Sequence, residues 1–316
     1  MNKLSLAVIF GGQSSEHEIS LLSAGNVINS LNKDKYDITS IAITKDGQWL
    51  SGGLEKDAPS FDISRIKDFD LVLPILHGSY GEDGRIQGLL DMMGVPYLFS
   101  GMQASNIAMN KSLAKEVAKK NGLSVARDII TTEENVELER IQLPAFVKPV
   151  SLGSSVGMSL VKESSELKGA ITEALKYDSQ VMIEEFIQGR ELTVPVLDDK
   201  ALPVVEIIPK SSEWFDYQAK YGDGGSEEVC PAKIADDLKN RLQEQAIIIF
   251  KAIGCKDLAR VDFIWHEKSA TIYFLEINTI PGLSPASITP KSIIAAGISL
   301  GELFDQLIEN NVKRQS

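Results

Sequence analysis

The sequence predicts an α/β protein of three units, and three observations carry that prediction. Short runs of aliphatic and β-branched residues alternate with stretches of helical period through the first hundred residues, as a parallel sheet with crossover helices reads. The strands among them are apolar on both faces, which suits burial under helices on two sides. Beyond residue 190 the pattern changes to runs paired around short turns, the mark of antiparallel strands.

In the first unit, residues 4–10 read as a strand, Gly11-Gly12 as a turn, 18–31 as a helix, 37–44 and 70–76 as further strands, and 86–93 as a short helix. The apolar start is expected to be a buried first strand rather than a signal peptide. Glu16-His-Glu18 follows it, with no small-x-small cleavage pattern. A second unit starts near Asn106. Its helix over 107–120 stops at Asn121-Gly122. Strands at 144–149 and 156–161 then flank a glycine-serine loop, followed by a helix at 164–177 and a strand at 181–187.

The third unit is β-rich. Residues 191–197 and 202–208 pair antiparallel around Asp198-Asp199. The polar, glycine-rich stretch 211–225 carries Trp214, Phe215, Tyr217 and Tyr221, and an aromatic loop that long points to function. An amphipathic helix at 234–253, a hairpin of 258–266 with 271–279, and a closing helix at 299–311 complete the chain. The expected domains are 1–102, 103–182 and 183–316.

Composition narrows the function. The 316 residues hold 32 Lys plus Arg against 44 Asp plus Glu, a net charge of −12. Such a chain is a poor candidate for holding a phosphate backbone, which needs a basic face. Hydrophobic residues at 43% with 24% charged exclude wholesale disorder. Apolar runs such as 246–250 fall far short of the roughly 18–20 residues of a spanning helix, so no membrane association is expected. Two cysteines, Cys230 and Cys255, make no disulfide framework and are expected to be reduced thiols in the cytoplasm. Three histidines (His17, His77, His266) leave little for a multi-histidine metal site.

Four constellations carry chemistry. In the last hairpin Arg260 and Asp262 share one strand face, as do Glu276 and Asn278, while Val261, Phe263, Leu275 and Ile277 point the other way. Paired, the four share one face, where the two carboxylates and the amide oxygen form a set of hard oxygen donors suited to Mg²⁺ with phosphates. A solvated face is the bland alternative, against which Ile264 and Phe274 border the cluster on its own side. Next, Lys148-Pro-Val-Ser-Leu-Gly-Ser-Ser-Val-Gly157 exposes backbone N–H groups able to cradle phosphate, with Lys148 beside them. It is not a P-loop, because the lysine precedes the glycines and a strand follows. A plain hairpin tip remains open.

Third, the strand 181–187 ends in carboxylates and leads to Glu191. It reads equally as an edge for adenine and ribose or as a strand running out into solvent. Fourth, the turns Gly11-Gly-Gln-Ser-Ser-Glu-His-Glu-Ile-Ser20 and His77-Gly-Ser-Tyr-Gly-Glu-Asp-Gly84 fall at the carboxyl edge of the parallel sheet, where α/β proteins bind ligands. There Glu16 could meet an ammonium group, and His77 could equally make a structural bond to backbone. Together these residues describe a cytoplasmic Mg²⁺–nucleotide enzyme with a separate α/β substrate lobe.

Five segments resemble the D-alanine–D-alanine ligases of the ATP-grasp superfamily. They are Gly11-Gly-x-Ser-x-Glu-His-Glu-Ile-Ser20, His77-Gly-x-x-Gly-Glu-Asp-Gly-x-Ile-Gln-Gly88, Leu152-Gly-Ser-Ser-Val-Gly157, Arg260-Val-Asp262 and Glu276-Ile-Asn-Thr-Ile-Pro-Gly282, in the family's order and spacing. The resemblance implies an N-terminal parallel α/β domain followed by a two-lobed ATP-grasp module. ATP would lie between the lobes, its phosphates near Lys111, Lys148, Ser154 and Ser155. Glu184, Glu185, Phe186 and Ile187 would surround the base, and Glu191 would hold the ribose. Lys220, Phe263 and Leu275 complete the implied ATP contacts. Asp262, Glu276 and Asn278 would ligate two Mg²⁺ ions, with Mn²⁺ as a substitute.

The implied chemistry joins two D-alanines through an acyl phosphate, for peptidoglycan precursors. Glu16 would pair with the first ammonium, His77 would support it, and Arg260 with the Gly282 N–H would form the oxyanion site. Ser287 and Ile288 fall at the second-substrate pocket. The loop 211–225 would close over the site, bringing Tyr221 to Ser154 and Glu16, and Lys220-Tyr221 favours an amine nucleophile over D-lactate. The family resemblance also implies a homodimer. The rival readings are a D-alanine–D-lactate or other ATP-grasp carboxylate ligase, and a non-catalytic ATP-binding regulator.

Overall fold

A computed structural model describes residues 3–55, 57–133, 142–210 and 225–315. In the N-terminal unit β1 (Leu4–Gly11) pairs in parallel with β2 (Tyr36–Ile43) on one side and β4 (Leu71–Ile75) on the other, and β3 (Trp49–Ser51) adds an antiparallel edge. Strand alternation explains why β1 is apolar from Leu6 to Phe10. Leu6 and Val8 enter one core, while Ala7 and Ile9 enter another on the opposite face. Helix α1 (His17–Ser30) covers the first face through Ala24 and Val27, and α2 (Arg85–Met93) the second through Ile86 and Leu90.

The expected helix over 107–120 is two helices, α3 (Met102–Met109) and α4 (Lys111–Lys120). Asn110 breaks them: its backbone is extended and its side chain accepts the Leu113 N–H at 3.0 Å, an N-cap that starts the second helix at Lys111. Next come β5 (Ser124–Val125), β6 (Asp128–Thr131), β7 (Ala145–Pro149), β8 (Ser159–Val161), α5 (Ser164–Ala174) and β9 (Val181–Glu185). The order β6-β9-β7-β8 makes an antiparallel sheet, with α5 packed on it through Leu167, Ile171 and Ala174. A Glu163–Glu166 capping box starts α5.

The remaining elements are β10 (Arg190–Leu197), β11 (Lys200–Ala201), β12 (Val205–Pro209), β13 (Ser226–Val229), α6 (Asp236–Ile253), β14 (Leu258–His266), β15 (Thr271–Asn278), α7 (Ile288–Ala295) and α8 (Leu300–Gln315). The third sheet runs β13-β12-β10-β14-β15-β5, with β11 on β10. Leu238, Leu242, Ala246, Ile249 and Phe250 of α6 seal one face.

The sheets do not follow the boundaries at 102 and 182. Ala104 and Ala108 of α3 and Ala114 and Ala118 of α4 pack into the third sheet's core, and β5 pairs with β15, so 102–125 belongs with the last unit. Strand β9 crosses the second boundary. The closing helix returns to the first unit, where Leu303, Phe304, Leu307 and Ile308 pack with Leu6, Val8 and Val27. Among the described residues no helix is long and apolar enough to cross a membrane.

Candidate active site

The facing sides of the second and third sheets enclose a cavity of about 860 Å³. A smaller one, about 420 Å³, lies between the third sheet and the N-terminal unit. Both are lined by Lys111, Gly153, Ser154, Arg260 and Glu276, so the two chambers meet at these residues.

The hairpin supplies the floor of that junction. Strands β14 and β15 pair with Arg260 opposite Asn278 and Asp262 opposite Glu276. The Arg260 guanidinium holds Asp262 through two bonds, Nε to Oδ1 at 2.9 Å and Nη2 to Oδ2 at 2.7 Å. Burial works against the charge on Arg260, but Asp262 outweighs it and raises the guanidinium pKa further. The Thr193 hydroxyl donates to Asp262 Oδ1 at 2.5 Å, and Asn278 Nδ2 donates to Oδ2 at 3.1 Å, turning the amide oxygen away from Asp262. Asp262, Glu276 and Asn278 thus present two carboxylates and an amide, the donor set of a hard cation beside phosphates. The residues fit that chemistry.

Alternation breaks just past the acidic pair. A bulge between Asp262 and Phe263 sets Phe263 opposite Phe274, leaving Leu275 as the extra residue. Phe274 therefore enters the core against Phe263, ring centroids 6.3 Å apart, instead of bordering the polar face. Leu275 lines the larger cavity with Ile264. Two further expectations are corrected. Phe263 is fully buried in the core and does not line the cavity, and Leu275 points to the cavity and not inward.

The opposite wall is built on the second sheet. Lys148 on β7 pairs with Glu184 on β9, and Lys115 on α4 reaches the other oxygen of Glu184 at 2.6 Å. Burial pushes the Glu184 pKa up, yet the two lysines outweigh it and hold the carboxyl below its usual range. Glu184, Glu185, Phe186, Ile187 and Glu191 all line the larger cavity, as do Lys148 and Ser155. Phe146, which the sequence did not single out, lines it too and meets Phe186 edge-on at 5.6 Å.

The loop after β7 bends over the junction. Ser154 and Ser155 take positive φ of 54° and 57°, as does Gly157 at 69°. A Cβ on Gly157 would come within 2.7 Å of the Tyr177 ring, so glycine is required there. This turn aims the Ser154 hydroxyl across the chamber to donate to Glu16. The Lys111 ammonium bonds the Leu152 carbonyl at 2.5 Å and lies 3.8 Å from Glu276.

In the smaller chamber Glu16, His77 and Glu82 converge, with ligand atoms within 4.8 Å of one another. Both ring nitrogens of His77 already carry hydrogen bonds within the chain. The Ile280 carbonyl can only accept, so Nδ1 carries the proton and Nε2 of the neutral ring accepts from the Ser23 hydroxyl at 2.9 Å, while Ser23 Oγ also accepts the Leu283 N–H at 3.2 Å. The Nδ1–H donates to that carbonyl at 3.1 Å. Burial lowers the His77 pKa to about 4, which keeps the ring neutral. These bonds tie the segment that leads to Gly282 to the N-terminal unit. Glu82, another residue the sequence reading did not assign, accepts the Gly78 N–H at 2.8 Å and the Ile280 N–H at 3.4 Å. Burial, then the neighbouring Glu16, pushes its pKa up to about 8. Gly282, Ser287 and Ile288 line the far side of this chamber. Lys220 and Tyr221 lie outside the described residues.

Two profiles match this chain, the D-ala D-ala ligase N-terminus over residues 5–64 and 53–100 and the D-ala D-ala ligase C-terminus over residues 114–309. The chain belongs to the D-alanine–D-alanine ligase family. A D-alanine–D-alanine ligase of Chlorobium luteolum is 38% identical over 98% of this chain and 97% of its own length. One of Clostridium botulinum is 40% identical over 98% and 99%. Among solved structures, a Bacillus anthracis D-alanine–D-alanine ligase complexed with ATP shares 34% identity and a TM-score of 0.82 over the full length of both chains. The VanG D-Ala:D-Ser ligase of Enterococcus faecalis also shares 34% identity, with a TM-score of 0.88 over 98% of this chain and all of that one. The fold is therefore that of the ATP-grasp ligases, and the chain is an ATP-dependent ligase.

Proposed function

We propose that this ligase binds ATP in the larger chamber and joins two D-alanines in the smaller, with phosphoryl transfer at their junction. The observation that supports this most strongly is the sharing of Lys111, Gly153, Ser154, Arg260 and Glu276 by both chambers. A γ-phosphoryl group and a carboxylate reaching that point from opposite sides would meet among cations and backbone donors. Such groups stabilise charge on a transferring phosphoryl.

Glu184 would accept from the adenine amino group, Phe186 and Ile187 would pack on the base beside Glu185 and Leu275, and Glu191 would hold the ribose. Lys111, Lys148 and the Ser154–Ser155 loop would engage phosphates, with Lys220 near them. Asp262, Glu276 and Asn278 would hold two Mg²⁺ ions, or Mn²⁺, which supply charge neutralisation for the phosphates.

Glu16 would fix the ammonium of the first D-alanine, and a carboxylate oxygen of that D-alanine would attack the γ-phosphorus, releasing ADP and forming D-alanyl phosphate. The free amine of a second D-alanine, held near Ser287 and Ile288, would add to the acyl carbon. Arg260 and the Gly282 N–H would carry the oxyanion. Collapse would expel phosphate and leave D-alanyl-D-alanine, a precursor for the cell wall. Tyr221 would close the site toward Ser154 and Glu16. The expected setting is a cytoplasmic homodimer whose partners are these small molecules, without nucleic acid or membrane. Residues 1–102, 103–182 and 183–316 are its proposed domains, with the exchange of 102–125 noted above.

The similarity to a D-Ala:D-Ser ligase raises a second reading, D-serine as the nucleophile. One assay separates them. Phosphate release and product mass are measured with ATP and Mg²⁺, offering D-alanine alone or D-alanine with D-serine, D-lactate or L-alanine. D-alanyl-D-alanine as the main product in all mixtures supports the first reading. A mixed product in preference overturns it, and no release with any mixture overturns the substrate class.

A further inference from the structure

We propose that Lys115 is a positioning residue for nucleotide selection, keeping Glu184 an acceptor only while Lys148 serves the phosphates. The inference rests on the reading of Glu184 as the partner of the adenine amino group. Lys115 is 1% exposed and does not line either chamber. A lysine so buried calls for paired charge around it. Its ammonium lies 2.6 Å from Glu184 Oε1 and 2.6 Å from Asp128 Oδ1. Those two carboxylates belong to residues paired across β6 and β9, so the lysine closes a bridge over one rung of the sheet. One helical turn earlier, Lys111 on the same helix faces the chamber junction.

Lys148 holds the other oxygen of Glu184 and also lines the nucleotide chamber. Two ammonium groups and two carboxylates therefore balance at this rung. A phosphate that draws Lys148 toward itself would leave Glu184 buried with less compensation. A buried carboxylate without a partner takes up a proton. The protonated form carries an O–H donor and could accept a 6-oxo purine, whereas the ionised form only accepts. Lys115 points into no ligand space, so its bond to Oε1 persists whatever Lys148 does. Glu184 then rejects a 6-oxo base by opposing one acceptor with another.

The test uses the full-length protein with ATP and ITP, which carry a 6-amino and a 6-oxo group respectively, at saturating D-alanine. Lys115→Met should raise the KM for ATP roughly tenfold or more, change kcat by less than about threefold, and lower the ATP:ITP ratio of kcat/KM roughly tenfold. The KM for D-alanine should stay unchanged, and Lys115→Arg should restore most of the ratio. Should Lys115→Met fail to fold, Lys115→Met/Asp128→Asn removes one charge of each sign and is read in the same way. A folded variant with an unchanged ATP:ITP ratio overturns the inference. Glu184→Gln tells the two failures apart: a lowered ratio there with none at Lys115 sinks only the role of Lys115. An unchanged ratio in both sinks the adenine reading itself.

Discussion

Asp262 stands opposite Glu276 across β14 and β15, at the last regular position before the register slips. The bulge that follows returns Phe263 and Phe274 to the core together while the acidic pair stays on the chamber side. An acidic pair suited to a hard cation and a hydrophobic core thus share one hairpin.

That placement makes Glu276 the test of the acidic pair. Glu276→Ala should reduce kcat at least about 100-fold with the fold intact. It stands partly exposed at the chamber junction, so little packing is lost. Near-normal turnover in steady-state assays, with an unchanged melting curve, would refute its assignment.

Phe263 and Leu275 should behave oppositely when shortened. Phe263→Ala removes a ring from the core and should cost about 3–5 kcal/mol of stability. Leu275→Ala should leave stability nearly unchanged and raise the KM for ATP. Urea unfolding and nucleotide titration separate the two, and similar behaviour would mean that the bulge is misplaced.

Lys148 pairs with Glu184 and lines the larger chamber, the proposed nucleotide site. Lys148→Ala should raise the KM for ATP by about tenfold or more, on the scale of a bond to a charged group. The KM for D-alanine should change little. An effect on D-alanine alone would place this lysine at the wrong chamber.

Glu82 and His77 shape stability against pH in opposite senses. Glu82 titrates near 8 in the folded chain and near 4.5 when unfolded, so its contribution is full below about 4.5 and fades as pH rises toward 8. His77 titrates near 4 folded and 6.5 unfolded, so unfolding takes up a proton between those values and stability rises with pH there. The two slopes oppose each other up to pH 6.5, above which Glu82 acts alone. Between pH 6.5 and 8 the parent chain should lose up to about 2 kcal/mol more than Glu82→Gln. Parallel urea-unfolding curves for both would contradict the burial of Glu82.

Much of this site was legible because its chemistry repeats with strand period. Arg260, Asp262, Glu276 and Asn278 alternate with apolar residues, so their shared face followed from spacing alone. The bulge did not follow, since one extra residue in a strand leaves no mark in an alternating pattern. Asn110 was hidden in the same way, as a polar residue of acceptable helical type whose capping role depends on backbone geometry. Lys115 had no signal either. Lys111-Ser-Leu-Ala-Lys115 reads as a solvated helix face, and its burial depends on Asp128 and Glu184, which arrive from distant strands. His77 was found by its motif, but only its partners Ser23 and Ile280 show that it braces the Gly282 segment.

The central claim is that a carboxylate in the smaller chamber receives the γ-phosphoryl group from the larger one. Turnover with D-alanine labelled with ¹⁸O in its carboxylate measures this directly. An acyl phosphate that collapses under amine attack transfers one labelled oxygen to each phosphate released, which mass spectrometry reads. Unlabelled phosphate, with dipeptide still formed, would contradict the transfer and the junction of the two chambers as its site.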